Sequence, residues 1–206
     1  MEHIHPKKGD IHLGSMVFSE KELRDILKAW LAISLAFAII LSAGTGSLMT
    51  SFIISALTVG VGFIFHELGH KILAQKYGAW AEFRAWNQML ILAVIMSFFG
   101  FIFAAPGAVM IAGRTIGRSR MGKIAAAGPM MSFAIAIVFL GIMIYFPTGL
   151  LNVIGSYGFF INRWLGIFNL IPLAMFDGKK IFQWNKLAYG ILVAVGIGLM
   201  FVSFGI

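Results

Sequence analysis

Long apolar stretches separated by short polar links dominate the chain. The stretches occupy residues 26–43, 48–74, 89–112, 121–146, 151–170 and 187–206. A helix needs about 20 consecutive apolar residues to cross the hydrocarbon core of a bilayer. The pattern therefore predicts an all-α polytopic membrane protein with five or six transmembrane helices.

The third stretch differs from the others because Pro106-Gly107 interrupts it. About 24 residues are too few for two full crossings, and a single crossing would put the basic cluster of Arg114, Arg118, Arg120 and Lys123 outside. Five crossings plus a re-entrant or β-containing membrane-associated segment, between the second helix and the later hairpin, satisfy both constraints. A plain six-crossing bundle is the alternative.

The basic residues predict the orientation of the spans. Five lysines and arginines lie within the first 28 residues, and Lys71 and Lys76 lie near the end of the second stretch. Cytoplasmic loops carry an excess of Lys and Arg. We therefore expect a multi-pass protein of the cell membrane, with the N-terminus cytoplasmic, a polar tail over residues 1–25 and a single membrane-embedded domain over residues 26–206.

Composition excludes several classes of protein. The chain is 60% hydrophobic and 12% charged, whereas soluble domains carry about a quarter charged residues. The net charge of +8 comes from clusters between spans, so the lipid bilayer is an expected partner and nucleic acid is not. The absence of cysteine excludes thiolate catalysis and cysteine zinc sites. His3, His5 and His12 lie in the polar tail, where nothing in the sequence fixes a metal geometry.

The segment His66-Glu67-Leu68-Gly69-His70 lies within the second apolar stretch. Ionisable groups at membrane depth are costly and usually functional. Four residues advance about 400° along a helix, so both imidazoles face the same side and can bind one metal at about 2.0–2.1 Å. Glu67 lies beside this face and could take a proton from a metal-bound water as a general base.

Two histidines leave a hydrolytic metal site incomplete, because such a site has three protein ligands and an open position for water. Beyond residue 28 the other carboxylates are Glu82 and Asp177. Glu82 stands near Arg84 in a polar stretch and is typical of a solvated interfacial charge. Asp177 is therefore the favoured third ligand.

The surroundings of Asp177 support a role in a cavity. Pro172 breaks a membrane helix before it, and Gly178 frees the backbone after it. An acid on irregular backbone at membrane depth is tolerated where it lines a cavity. An interfacial ion pair with Lys179 or Lys180 is the alternative.

The two motifs together, His66-Glu67-x-x-His70 and Asn169-x-x-Pro172-x-x-x-x-Asp177-Gly178, resemble those of the site-2 protease family of intramembrane zinc metalloproteases. The resemblance covers about residues 48–183 and includes a Gly-Pro pair, here Gly128-Pro129. It implies one Zn²⁺ per chain, held by His66, His70 and Asp177, with Glu67 as the general base. It also implies that the substrate is a transmembrane protein or peptide.

Some positions depart from the family pattern. Many members have asparagine shortly after the Gly-Pro pair, where this chain has Met130, Met131 and Ser132, and Phe176 replaces the usual leucine. Asn169 either hydrogen-bonds within the site or to substrate, or caps the broken helix. Family members are thought to pair an unwound substrate with a membrane-associated sheet, and residues 107–111 could supply such an edge.

These observations favour a zinc-dependent endopeptidase that hydrolyses peptide bonds of transmembrane substrates within or near the bilayer. One alternative is a non-catalytic protein in which the metal staples helices, which would require a fourth protein ligand. Another is a metal or solute transporter, which usually needs several polar stepping sites along its path. The spans offer few further ionisable residues for either alternative.

Overall fold

The computed structural model describes residues 10–14, 16–102, 106–113, 116–173 and 176–202. Most of these residues are helical, as predicted, and the strands are short. His3 and His5 lie outside the described residues, and His12 lies in the first strand. In chain order the elements are β1 (Ile11–Leu13), β2 (Met16–Phe18), α1 (Glu20–Thr45), α2 (Leu48–Ser55), a π-helix (Ala56–Gly60), α3 (Val61–Lys76), β3 (Trp80–Ala85), α4 (Asn87–Ser97), β4 (Gly107–Ala112), α5 (Arg118–Tyr145), α6 (Gly149–Asn169), α7 (Asp177–Trp184) and α8 (Lys186–Phe201).

Three helical segments in the described part of the chain are long and apolar enough to cross a membrane. They are Glu20–Thr45, Leu48–Lys76 and Arg118–Tyr145, the second combining α2, the π-helix and α3. These segments support membrane association. The five or six crossings predicted from the sequence also need α6 and α8, and that number stays a prediction.

Residues 1–56 and 71–115 form one compact unit of the chain. In it α1 packs against α2, α4 and β3, and β3 pairs with β4 in antiparallel register from Trp80 opposite Ala112 to Ala85 opposite Gly107. Ser19 caps the start of α1 by accepting a hydrogen bond from the Glu22 amide. The helix therefore begins at Glu20, before the apolar stretch does.

The interrupted third stretch contains both a helix and a strand. α4 stops at Ser97, before Pro106-Gly107, and Gly100 adopts a left-handed φ of +84° shortly after the helix. Pro106 instead pairs with Trp86, whose amide donates to its carbonyl, and β4 starts at the next residue. With 11 residues α4 is about 16 Å long, too short to cross a bilayer.

Residues 57–70 and 116–206 form the other compact unit. Here α5 packs along α6, and a stripe of glycines on α6 makes this approach close. A Cβ atom on any of them would collide with α5: Gly155 faces the backbone of Met143, Gly158 faces the ring of Phe139, and Gly166 faces the ring of Phe133. The Asn162 amide, on the same helix, donates to the carbonyl of Thr58 in the π-helix at 3.4 Å.

Candidate metal centre

The two imidazoles of the His66-to-His70 segment lie side by side on α3, as their spacing predicts. Both side chains are buried, with exposed fractions of 3% and 7%. Their Nε2 atoms are 3.1 Å apart, and the rings meet edge to face at 81°. The helix is continuous from Val61 to Lys76, so the four-residue spacing alone sets this arrangement.

Asp177 joins the pair from the start of α7. Its Oδ2 atom lies 3.5 Å from His66 Nε2 and 3.0 Å from His70 Nε2. Lys180, one turn further along α7, places its Nζ 3.7 Å from the other carboxylate oxygen, Oδ1. The aspartate therefore makes both contacts considered for it, one oxygen turned to the imidazoles and the other to a lysine.

The spacing of these three atoms fits a metal ion. Zinc ligands at about 2.0–2.1 Å in tetrahedral geometry are about 3.3–3.4 Å from one another. The three ligand atoms of His66, His70 and Asp177 form a triangle with edges of 3.1, 3.5 and 3.0 Å. Two neutral imidazoles and a carboxylate are a donor set that zinc prefers. Within the described residues this is the group whose ligand atoms converge in this way.

Protein groups behind the imidazoles orient them towards the shared position. The Nδ1 atom of His66 is 2.9 Å from Ser132 Oγ, and that of His70 is 2.8 Å from the carbonyl of Ile124. A carbonyl only accepts, so His70 Nδ1 carries the proton and its Nε2 keeps a lone pair for a metal. Ser132 thus supplies a polar contact close to the Gly-Pro pair, where many site-2 proteases have an asparagine nearby.

Two glycines allow α3 and α5 to approach at the imidazoles. A Cβ atom on Gly69 would lie 2.7 Å from the Ala127 carbonyl oxygen, and one on Gly128 would lie 2.7 Å from His66 Nε2 and closer still to the His70 ring. Real Cβ atoms essentially never come within 3.0 Å of such atoms. Gly128 is therefore needed because the imidazoles occupy the space of a side chain, and the neighbouring Pro129 is fully buried within α5.

Gly178 has a different role from the one expected. It was expected to free the backbone, but it lies within α7 and is not among the glycines with positive φ. A Cβ atom on Gly178 would instead collide with the carbonyl of Leu170 at the end of α6. The glycine thus permits a close approach of the two chain segments on either side of Pro172.

The remaining candidate residues are not among the three whose ligand atoms converge. Glu67 is half-buried on α3, next to His66. Glu82 lies in β3, where it pairs with Arg84 and accepts a hydrogen bond from the Trp80 indole at 3.3 Å. Asn169 donates to the Leu165 carbonyl at 2.9 Å within its own helix, and both roles considered for it stay predictions.

Comparison with known proteins gives the chemistry that belongs to this geometry. The chain is 46% identical to the protein named Putative zinc metalloprotease MJ0611 of Methanocaldococcus jannaschii, over 185 residues that make up 89% of this chain and 94% of that protein. It belongs to this zinc metalloprotease family. It is also 31% identical to Zinc metalloprotease MJ0392 of the same organism, over 60% of this chain and 31% of that relative. No family model matches the chain, and no solved structure matches it.

Membership of a zinc metalloprotease family identifies zinc as the metal for the buried triangle. His66, His70 and Asp177 could hold it, with Ser132 and the Ile124 carbonyl fixing the two rings. The sequence motifs named the three ligand residues. The motifs did not indicate the carbonyl of Ile124, because every residue has a main-chain carbonyl and the residue type does not show which one accepts a hydrogen bond.

Proposed function

We propose that this protein is an intramembrane zinc endopeptidase of the site-2 protease type, which hydrolyses peptide bonds of transmembrane substrates. The observation that carries the proposal is the buried triangle of His66, His70 and Asp177 in a chain with three long apolar helices. Glu67, adjacent to a ligand on the same helix, is the one glutamate of the zinc-binding motif. Membership of the chain in a zinc metalloprotease family supports the hydrolytic chemistry.

The proposed roles follow from the donors on each side chain. Bound zinc supplies Lewis acidity, which lowers the pKa of water towards neutrality and polarises a carbonyl. His66 and His70 present neutral Nε2 atoms, and Asp177 adds one negative charge through Oδ2. The Glu67 carboxylate accepts the proton from the attacking water and delivers it to the leaving amine nitrogen, so that the carboxylate is regenerated in each cycle.

A substrate segment must be extended before its scissile carbonyl is accessible, because a helix hides this group in its own hydrogen bonds. We propose that such a segment pairs with β4, which has β3 on one side and no other strand next to it among the described residues. Strand addition satisfies the main-chain groups of both partners, which matters most in a bilayer. Residues 107–111 of the sequence prediction fall within this strand.

We also propose that the protein is a multi-pass component of the cell membrane, with five crossings and with the N-terminus and the active-site side in the cytoplasm. Residues 1–25 would precede one membrane-embedded domain over residues 26–206. The lengths of α1 and α5 and the basic residues at the start of each helix support this arrangement.

Replacing Glu67 with glutamine tests the proposed chemistry. The amide keeps the size of the side chain but cannot take a proton, so we expect zinc to stay bound and cleavage to fall by about 10² to 10⁴. The purified protein would be assayed for zinc content and for cleavage of a reporter transmembrane segment in liposomes. Glu20→Gln is the matched control, because Glu20 is an exposed glutamate at the start of α1.

The outcomes separate the proposed activity from the alternatives. Full activity of Glu67→Gln would show that another group is the base. Zinc-dependent uptake of solute into liposomes, lost in His66→Ala, together with no cleavage by the wild type, would favour a transporter. A zinc ion with four protein ligands would favour a structural site.

A further inference from the structure

Two charged side chains cover main-chain groups of β3. The Lys71 ammonium donates to the Ala81 carbonyl at 2.7 Å, and the Phe83 amide donates to Glu22 Oε1 at 2.9 Å. Glu22 and Lys71 are 0% and 1% exposed, so neither exchanges these contacts for water. Two buried charged side chains therefore hydrogen-bond to the main chain of the same strand, β3.

The register of the sheet shows which edge of β3 they cover. In an antiparallel pair, main-chain groups of alternate residues point towards the partner strand and away from it. Trp86, directly after β3, donates its amide to the carbonyl of Pro106, directly before β4. By alternation, the even-numbered residues of β3 therefore direct their main-chain groups towards β4. Ala81 and Phe83 are odd-numbered, so their amide and carbonyl groups face outward. The two side chains thus occupy the place of a third strand.

Glu22 and Lys71 together supply what a neighbouring strand would supply to this edge of β3. Lys71 Nζ lies 2.9 and 2.8 Å from the two oxygens of Glu22, so each charge neutralises the other. Together they offer one donor and one acceptor, as the main chain of a neighbouring strand does. The ring of Phe18 lies 4.5 Å from the ammonium and helps to close the site.

The same device occurs on the N-terminal hairpin. Gln75, one turn after Lys71 on α3, accepts a hydrogen bond from the Val17 amide at 3.2 Å and donates to the Val17 carbonyl at 3.0 Å. An uncharged amide therefore caps an edge of β2 in this protein. At β2 one donor and one acceptor thus cover the strand edge without any charge.

We propose that Glu22 and Lys71 are positioning residues that cap the outer edge of β3. The cap closes that edge to other strands and holds the β3–β4 ladder in register, so that an extended substrate pairs at β4. The role in substrate pairing rests on the proposed protease function, whereas the cap on the edge of β3 does not depend on it. It assigns to two charges far apart in sequence a role in substrate binding.

Two uncharged double variants test the cap. Glu22→Gln/Lys71→Met removes the ion pair and the lysine donor to the Ala81 carbonyl but keeps a side-chain acceptor for the Phe83 amide. Glu22→Met/Lys71→Met has nearly the same size and also lacks the acceptor. Amide hydrogen exchange at Phe83 is measured for both in the detergent-solubilised full chain, together with zinc content and with KM and kcat for the reporter segment.

We expect the first variant to keep Phe83 exchange and KM close to wild type. Compared with the first variant, the second should exchange Phe83 faster and should have a KM about fivefold higher, with kcat and zinc content unchanged, because it lacks one further hydrogen bond, the one that the Phe83 amide donates, and loses none at the metal. Equal behaviour of the two variants would overturn the proposal. If the second variant does not fold, loss of Phe83 protection in the first would overturn it alone.

Failure of the cap and failure of the protease function give different results. If the wild type cleaves no substrate, the proposed function is wrong, and the exchange rates still decide whether Glu22 protects the Phe83 amide. If the wild type cleaves and the exchange pattern is as expected but KM is the same in both variants, the cap is structural and the positioning role is wrong.

Discussion

Substitution of Gly128 by alanine tests the packing of the metal centre most directly. The new methyl group would lie 2.7 Å from His66 Nε2 and closer to the ring of His70, whereas ordinary van der Waals contact begins at 3.4 Å. To reach ordinary contact the His66 nitrogen must therefore move by about 0.7 Å (3.4 − 2.7 Å), or α5 must move away from α3.

The size of the effect follows from the tolerance of zinc ligation. Metal–ligand distances hold to within about 0.2 Å, so a displacement of 0.7 Å removes His66 from an undistorted coordination sphere. Changes to groups that only orient the ligands already lower metal affinity by about 10- to 100-fold. We expect Gly128→Ala, which displaces ligands themselves, to lower zinc affinity by about 100-fold or more.

Zinc affinity would be measured by competition with a chelator of known affinity, and bound metal by elemental analysis. Gly141→Ala is the matched control, because Gly141 lies on the same helix and no atom lies within 4 Å of the position that its Cβ would take. The control should bind zinc as the wild type does. Wild-type zinc affinity and cleavage in Gly128→Ala would refute the packing argument.

Three further predictions concern the ligands and the metal. Ser132→Ala removes the partner of His66 Nδ1 and should lower zinc affinity by about tenfold in the same competition assay; unchanged affinity would mean that the hydrogen bond does not orient the ring. Asp177→Ala should lose zinc while Glu82→Ala keeps it, because only the first carboxylate reaches the imidazoles; the reverse result would exchange their roles. Removal of zinc with a chelator should abolish cleavage and lower the thermal unfolding temperature, and added zinc should restore both; cleavage that persists without metal would contradict the proposed chemistry.

Residue spacing predicted the centre of the site better than its surroundings. His66 and His70 share a face because helical geometry requires it, and the motif that ends in Asp177-Gly178 pointed to the carboxylate that lies beside them. The need for Gly128 could not be derived in the same way. Glycine is needed at this position because the rings of His66 and His70, on another helix, occupy the space of a side chain. Such a contact between helices leaves no local pattern in the sequence.

Charge counting predicts the orientation of the spans and does not predict which group an individual basic residue contacts. Lys71 was assigned to a cytoplasmic cluster, but its ammonium is buried against Glu22, which precedes it by 49 residues. A lysine at the end of an apolar helix looks the same in sequence whether it faces lipid headgroups or a distant glutamate. The division of the third apolar stretch into α4 and β4 could not be predicted either, because the hydrophobic pattern runs through both elements.

In the proposed membrane arrangement, the glycine stripe of α6 has a consequence for the depth of α5 in the bilayer. In lipid, apolar helices gain little from hiding from solvent, so shape decides how far one can slide along another. A slip of one turn, about 5.4 Å, would bring Asn162 to the ring that Gly158 or Gly166 now accepts. The contacts at Gly155, Gly158 and Gly166 all oppose such a slip, so α5 cannot slide along α6. The position of Gly128 relative to α6 is thus fixed by contacts that Phe133, Phe139 and Met143 make, none of which is a candidate ligand.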